Sequence, residues 1–134
     1  MLLLPYPIST NRYWRTFRGR TVRSAEAVAY KDHVISLASE SQSKVYTCPV
    51  EVRMMLHPER PLDWAKRAKR DPDWALSVRR IDIDNAQKVV LDALQGVMYT
   101  NDRQITTLTI KLGEPIDGGG LSVEVFPDLT WGNQ

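Results

Sequence analysis

The chain has 134 residues, a length that supports one hydrophobic core but is short for two. Hydrophobic residues make up 43% and charged residues 25%, as in ordinary globular proteins, which excludes disordered and low-complexity classes. The formal net charge of +2 conceals a segregation, because residues 1–80 carry +7 and residues 81–134 carry −5. A basic half beside an acidic half suits a protein that binds a polyanion on one surface and a cation on another.

The sequence shows no sign of a membrane anchor or a disulfide. No apolar run approaches the roughly 20 residues of a membrane helix, and Pro5 and Pro7 interrupt the apolar start, so we expect a cytoplasmic protein. Cys48 is the only cysteine, which fits a reducing compartment. A catalytic thiol would need a neighbouring base, so we interpret Cys48 as structural.

The first half of the chain predicts a strand, a basic loop, a helix and a second strand. The opening LLLPYP indicates a short strand that ends at its prolines. Residues 8–23 show neither a helical nor a strand period of apolar residues. Five arginines alternate there with aromatic residues, which indicates a ligand-facing loop. Ser24 as N-cap and the apolar spacing after it predict a helix over residues 25–40. Alternating apolar residues predict a strand over residues 48–57.

The second half predicts a long loop, a helix and a β-hairpin. Residues 58–80 are polar and contain three prolines, so we interpret them as a loop with room for one helical turn. A second helix is predicted over residues 85–97, with Asp84 and Gln87 as its capping box. Alternating runs on either side of the DGGG turn predict a closing hairpin. This order predicts a single α+β domain over residues 1–134, with two helices and a mixed or antiparallel sheet.

Acidic residues around the second predicted helix form a candidate metal site. Asp82 and Asp84 lie two apart in a segment predicted to be extended, whose period would place both carboxylates on one face. Such a pair can share a hard divalent cation, which prefers oxygen ligands. Asp102 follows the helix and is the candidate third ligand. Lys88 lies one helical turn after Asp84, where its ammonium would neutralise charge on a phosphodiester.

The same residues also have ordinary structural interpretations. Asp84 can be a helix cap, Asp82 a solvated acid and Lys88 half of a surface ion pair. A D-x-D pair also occurs in glycosyltransferases and phosphohydrolases, but no P-loop or nucleotide-binding βαβ unit is visible. His33 and His57 are far apart on predicted elements, which argues against a histidine zinc site. Spacing alone therefore leaves the metal site and the structural acids as open alternatives.

Several motifs occur together in an order typical of one family. PYPISTNRYWR, RGR and SAE are followed by DIDNxxK, LDAL and NDRQI, and this series resembles the RusA family of endodeoxyribonucleases over most of the chain. The resemblance implies a bacterial or phage-encoded homodimer that binds four-way (Holliday) junctions and resolves them by paired symmetric nicks. It also implies Mg²⁺ or Mn²⁺ as the cofactor, with no organic cofactor.

Carried over by position, the family's catalytic residues fall on Asp82, Asp84, Asp102 and Lys88, and its early N-R-Y loop falls on Asn11, Arg12 and Tyr13. The chain departs from the family at two places. Ile81 stands where a basic residue is expected, and the segment DWAKRAKRDPDWALSV is longer than the family's usual loop.

Basic and aromatic residues in the two predicted loops are candidates for DNA contacts, because cations bind phosphates and aromatic rings stack on bases. The alternative is that both loops are merely solvated. The predicted DNA-binding residues are Asn11, Arg12, Tyr13, Arg15, Arg18, Arg20, Lys66, Arg67, Lys69, Arg70 and Arg80. The main alternative function is a non-catalytic module that binds branched DNA and uses its acids only as caps.

Overall fold

The computed structural model describes residues 1–8, 14–41 and 44–132. Within these ranges the chain forms six β-strands, three α-helices and two short 3₁₀ helices. In chain order they are β1 (Leu2–Leu4), β2 (Trp14–Phe17), β3 (Arg20–Arg23), α1 (Ala25–Ser41), β4 (Val50–His57), α2 (Trp64–Arg70), a 3₁₀ helix (Trp74–Ser77), α3 (Ile83–Leu94), a second 3₁₀ helix (Asp102–Gln104), β5 (Ile105–Leu112) and β6 (Gly120–Pro127). The α+β class is confirmed, with one α-helix more than the two predicted.

Four strands form a mixed sheet in the order β1-β6-β4-β5. Strand β4 pairs antiparallel with β6 and parallel with β5. The prediction that β5 and β6 form a closing hairpin is therefore wrong, because β4 lies between them. Alternation of apolar and polar residues identifies a strand and its buried face, but it does not identify the neighbouring strand.

The connection from β5 to β6 crosses the end of β4 and requires glycine there. Gly118 and Gly119 have positive φ angles of 77° and 68°, a region that residues with a side chain rarely adopt. A Cβ at Gly119 would lie 3.0 Å from the ring of Tyr6 and 3.1 Å from the amide nitrogen of Glu59. The DGGG motif therefore carries the chain past β4 instead of closing a two-stranded hairpin.

Helices α1 and α3 cover one face of the sheet and enclose the core. Alternate side chains of β4 point into this core, and each is at most 3% exposed: Val50, Val52, Met54 and Leu56. The apolar residues of β6 are buried in the same core, so they are not available for contact with a second chain. Among the described residues, no helix is long and apolar enough to cross a lipid bilayer.

Both predicted helices are confirmed, with shifted ends. Ser24 caps α1 as predicted, since its hydroxyl accepts the N–H of Ala27 at 3.1 Å. Helix α3 begins at Ile83, two residues before the predicted start, and ends at Leu94, before a turn at Gly96 whose φ is 85°. These shifts matter at the start of α3, where the candidate acids lie.

Two segments predicted as loops contain regular structure. Strands β2 and β3 form a separate two-stranded hairpin, turned by Arg18 and Gly19 with φ angles of 51° and 74°. Helix α2 has seven residues and no buried side chain. Its Ala, Lys and Arg residues favour a helix by intrinsic propensity, but they leave no apolar period by which it could be predicted.

The face of the sheet opposite the helices is open. On β4, Arg53 and Met55 are exposed there. Arg53 donates to Glu51 at 2.9 Å and lies 4.8 Å over the ring of Phe126. A shallow depression of about 380 Å³ lies on this face, lined by charged and apolar side chains that include Met1 and Lys111.

Candidate functional site

Asp82 and Asp84 lie at the start of α3. Asp82 is the N-cap residue, with an extended backbone (φ −65°, ψ 142°), and its carbonyl accepts the N–H of Ala86 at 3.0 Å. Asp84 lies in the first helical turn. The prediction that both acids share one face of an extended segment is therefore wrong, because the helix already begins at Ile83. The predicted capping box of Asp84 and Gln87 is wrong for the same reason.

Neither carboxylate has a partner among the residues that the structure describes. The Asp82 side chain makes no capping hydrogen bond, and within the described ranges no hydrogen bond or ion pair joins either carboxylate to another residue. Both acids are exposed and line an open depression of about 570 Å³ together with Arg79 and Arg80. Oxygen ligands suit a hard cation, guanidinium groups suit a phosphate, and the helix start favours negative charge.

Lys88 lies on α3 one turn beyond Asp84 and is exposed. The surface ion pair considered for it, with Asp84 or Asp92, does not form in the described part of the chain. Asp92 instead pairs with Arg23, whose Nη2 lies 3.2 Å from a carboxylate oxygen. The Lys88 ammonium is therefore available to an external anion.

Asp102 lies in the second 3₁₀ helix, on a firmly held turn. The side chain of Asn101 accepts the N–H of Arg103 at 2.9 Å, and the side chain of Gln104 accepts the N–H of Asn101 at 2.7 Å. The Gln104 amide also donates to the carbonyls of Tyr46 and Cys48, at 2.9 and 2.8 Å. This network fixes the backbone on both sides of Asp102, while the Asp102 side chain remains exposed.

Tyr99 shows where Asp102 lies relative to α3. Its hydroxyl donates to the carbonyl of Leu91 at 2.6 Å, close to the end of the helix. Burial, with the negative charges of Asp102 and Asp92, raises the pKa of Tyr99 above its usual range. Tyr99 also forms a β-bridge with Gln95, the C-cap residue of α3, and Asp102 follows Tyr99 by three residues. At 1.5 Å per residue, Leu91 is about 13 Å along the helix from Asp82.

The three candidate acids are therefore not gathered in one place. Asp82 and Asp84 lie at the start of α3, whereas Asp102 follows Tyr99, which contacts the end of the helix at Leu91 and Gln95. In the part of the chain that the structure describes, no group of three His, Cys, Asp or Glu residues is arranged to hold a metal ion. The assignment of all three to one metal stays a prediction.

The basic side chains predicted to bind a polyanion lie on two separate elements. Arg15, Arg18 and Arg20 are exposed on the β2–β3 hairpin. On α2, Lys66, Lys69 and Arg70 are exposed, whereas Arg67 donates to Asp63 at 2.9 Å. Arg80 reaches the carbonyl of Leu76 at 3.5 Å. The predicted contacts of Asn11, Arg12 and Tyr13 lie outside the described residues.

Two residues outside the predicted set hold these elements in place. Gln104 fixes the Asp102 turn, and the Asn101-x-x-Gln104 spacing of a capping box is a signal that the sequence offers for it. Arg23 ties the hairpin to α3 through Asp92. Those two residues are 69 positions apart, so no local pattern points to their contact.

Comparisons with known proteins agree over most of the chain. A family model described as "Endodeoxyribonuclease RusA" matches residues 5–125. The chain is 32% identical over 127 residues to the protein named "Crossover junction endodeoxyribonuclease RusA" of Escherichia coli strain K12, covering 92% of this chain and 91% of that protein. A relative of the same name from Enterobacteria phage 82 matches with the same identity and coverage. Another, from Escherichia coli O139:H28 (strain E24377A), is 31% identical over 120 residues, covering 89% and 86%.

Proposed function

The chain belongs to the RusA family of endodeoxyribonucleases, and we propose that it is a metal-dependent, structure-selective DNA endonuclease that resolves four-way junctions by paired symmetric nicks. The names of the relatives support the reaction class. The observation that carries the proposal is the pair of exposed, unengaged carboxylates of Asp82 and Asp84 beside Arg79 and Arg80. This arrangement offers oxygen ligands for a cation and positive charge for a phosphate in one depression.

Asp82 and Asp84 fit a divalent cation by the chemistry of their oxygens, and we assign Mg²⁺ or Mn²⁺ to them. Such an ion supplies a water of lowered pKa and stabilises charge on the phosphate. Lys88, one turn along the helix, is assigned to the same phosphate as a cationic partner. Asp102 joins these acids only if assembly with DNA or with a second copy of the chain brings it to them.

The exposed arginines and lysines are assigned to the DNA backbone. Counterion release makes such contacts the main source of affinity, without base specificity. The β2–β3 hairpin and α2 supply two cationic surfaces on different parts of the fold. Two surfaces allow the protein to contact more than one arm of a branched substrate, so it can recognise shape before it cuts.

A homodimer follows from the proposed symmetry of the cuts. A four-way junction presents equivalent strands, and a two-fold axis relates two identical sites to them. We assign the dimer contact to the open face of the sheet. Exposed Leu3 and Met55 there, at 55% and 37%, lie among the charges of Glu51 and Arg53, a mixture that two copies can match reciprocally.

The second candidate is a non-catalytic module that binds branched DNA. The position of Asp102 near the other end of α3 favours it, because two carboxylates are fewer than the three-acid set that the family resemblance implies. A protein of this kind would bind junctions equally well with and without divalent metal. It would cut none of them.

The deciding experiment is cleavage of a labelled synthetic four-way junction beside its linear duplex, with Mg²⁺ and with EDTA. Asp82→Asn removes one ligand charge, and Asp32→Asn, an exposed acid on α1, is the matched control. We expect paired nicks that require metal and occur only in the junction, for the intact protein and for Asp32→Asn. Asp82→Asn should bind as tightly as the intact protein or more tightly, since an anion near phosphates is gone, and should not cut.

Each other outcome has a definite meaning. Tight junction binding by the intact protein without cutting under any divalent metal would favour the binding module. Loss of binding by a folded Asp82→Asn protein would remove Asp82 from the metal site. Equal losses of cutting in both variants would show that the loss comes from removing any negative charge, and not from a specific role of Asp82.

A further inference from the structure

Residues 61–77 form a small lobe whose function the family resemblance does not cover. The lobe contains α2 and the first 3₁₀ helix, and none of its residues is buried. Its two helices pack on each other through Trp64 and Trp74, whose ring centroids are 6.3 Å apart. The guanidinium carbon of Arg60, the residue immediately before the lobe, lies 4.7 Å from the centroid of the Trp64 ring and extends the stack. The contact between the two tryptophans therefore stabilises the lobe.

Both ends of the lobe are fixed to the domain. At its start, the N–H of Arg60 donates to the carbonyl of Ile116 at 2.8 Å. After its end, Val78 is 5% exposed, and the N–H of Ile81 donates to the hydroxyl of Tyr6 at 2.8 Å. Asp82 follows immediately. The lobe is thus held next to the depression that contains the candidate carboxylates.

The charge on α2 is divided between two faces. Trp64, Arg67 and Ala68 lie on the face toward the lobe's interior, where Arg67 pairs with Asp63. The helical period places the other cationic residues together on the opposite, exposed face, and within the described chain they have no acidic partner: Lys66, Lys69 and Arg70. This face is complementary to a phosphate backbone.

Two leucines of the same lobe are largely exposed in the described structure. Leu62, in the turn before α2, is 105% exposed, and Leu76, in the 3₁₀ helix, is 65% exposed. Single exposed leucines are common on protein surfaces. Two on one lobe, which also carries a cationic face and precedes the candidate carboxylates in the chain, are of the apolar type that proteins insert between base steps.

We propose that this lobe is a wedge, in which Leu62 and Leu76 contact unstacked bases at the branch point while α2 binds the adjoining backbone. The occupant is DNA because the same lobe carries, between the two leucines in sequence, an exposed cationic face that has no acidic partner in the described chain. Unstacking a base step costs least where the duplex is already interrupted, so the wedge would favour branched DNA over linear duplex. The inference rests on the proposed function and explains how that function selects its substrate.

The test uses a four-way junction with 2-aminopurine at the branch point, whose fluorescence rises when the base unstacks, bound in EDTA so that nothing is cut. The double variant Leu62→Ser, Leu76→Ser is compared with Leu129→Ser, which alters a leucine that is 85% exposed elsewhere. The intact protein and Leu129→Ser should raise the fluorescence. The double variant should not, and its preference for junction over duplex should fall by at least about tenfold, since tenfold corresponds to one lost leucine contact and two are removed.

The salt dependence of binding should stay the same in the double variant, because no charge has changed. A fluorescence rise and a junction preference equal to those of the intact protein would overturn the wedge. A change in oligomeric state, measured by light scattering, would also overturn it and assign the leucines to a contact between chains. An intact protein that cuts junctions without any fluorescence rise refutes the wedge alone, whereas failure to prefer junctions at all refutes the proposed function with it.

Discussion

At the scale of single residues, the acids at the start of α3 show why position decides what a carboxylate does. An acid before a helix usually caps it, and the positive end of the helix dipole stabilises its charge. Here Asp82 occupies the cap position while its side chain makes no capping bond. The lone pairs of the Asp82 carboxylate are therefore left for a ligand.

Tyr99 gives a residue-scale prediction that is independent of the proposed function. Tyr99→Phe removes the 2.6 Å hydrogen bond to the Leu91 carbonyl and should lower the free energy of unfolding by about 1 kcal/mol. The loss should be modest because that carbonyl still accepts the N–H of Gln95 at 3.2 Å. Urea denaturation measures the change.

Tyr46→Phe is the matched control, since the Tyr46 hydroxyl makes no hydrogen bond in the described ranges. It should leave the free energy of unfolding nearly unchanged. Similar losses in both variants would mean that the phenolic hydroxyl of Tyr99 contributes nothing specific to stability.

At the scale of elements, α2 is a helix stabilised by context more than by its own sequence. Seven residues are too few for an isolated helix to be stable in water. The stack of Trp64 on Trp74 and the fixed ends of the lobe supply what propensity cannot. Since these contacts stabilise α2, the residues on its exposed face are not needed for packing and can be charged.

The charge on α2 has a measurable consequence for DNA binding. Replacing Lys66, Lys69 and Arg70 by Gln should reduce the steepness of the slope of log affinity against log salt concentration by about 2.7, since each phosphate contact contributes about 0.9 to that slope. Lys31→Gln, on α1, is the control and should leave the slope unchanged. An unaltered slope in the triple variant would show that α2 does not contact the DNA backbone.

At the scale of the whole molecule, the sheet has one covered and one open face. The helices bury alternate residues of β4, and the residues between them remain accessible. A sheet with an open face of mixed charge and apolar side chains is suited to pack against a second copy. This is the basis for placing the dimer contact there.

The dimer contact can be tested with a matched pair of substitutions. Met55→Lys places a charge on the open face, and Leu108→Lys places one at an edge position of similar exposure, 36% against 37%. Light scattering should give about twice the chain mass of 15.3 kDa for the intact protein and for Leu108→Lys. Met55→Lys should give the mass of one chain. Equal masses for both variants would place the contact elsewhere.

How much the sequence predicts depends on how local the signal is. The two long helices and the strand β4 are confirmed because their apolar period repeats along a single segment. The β2–β3 hairpin was missed, and α2 was anticipated only as one helical turn within a loop, since neither segment has an apolar period in its sequence. The start of α3 was placed two residues late, and that error alone changed the geometry inferred for Asp82 and Asp84.

The sequence by itself determined the α+β class, the family and the identity of the candidate residues, because periods and ordered motifs are properties of neighbouring positions. Only the tertiary structure decided that β4 lies between β5 and β6, that Arg23 pairs with Asp92, and that the turn carrying Asp102 follows a residue packed on the end of α3 opposite Asp82. Those relations depend on how the whole chain buries one core. Residues far apart in sequence come together or stay apart according to that packing, and no local pattern encodes it.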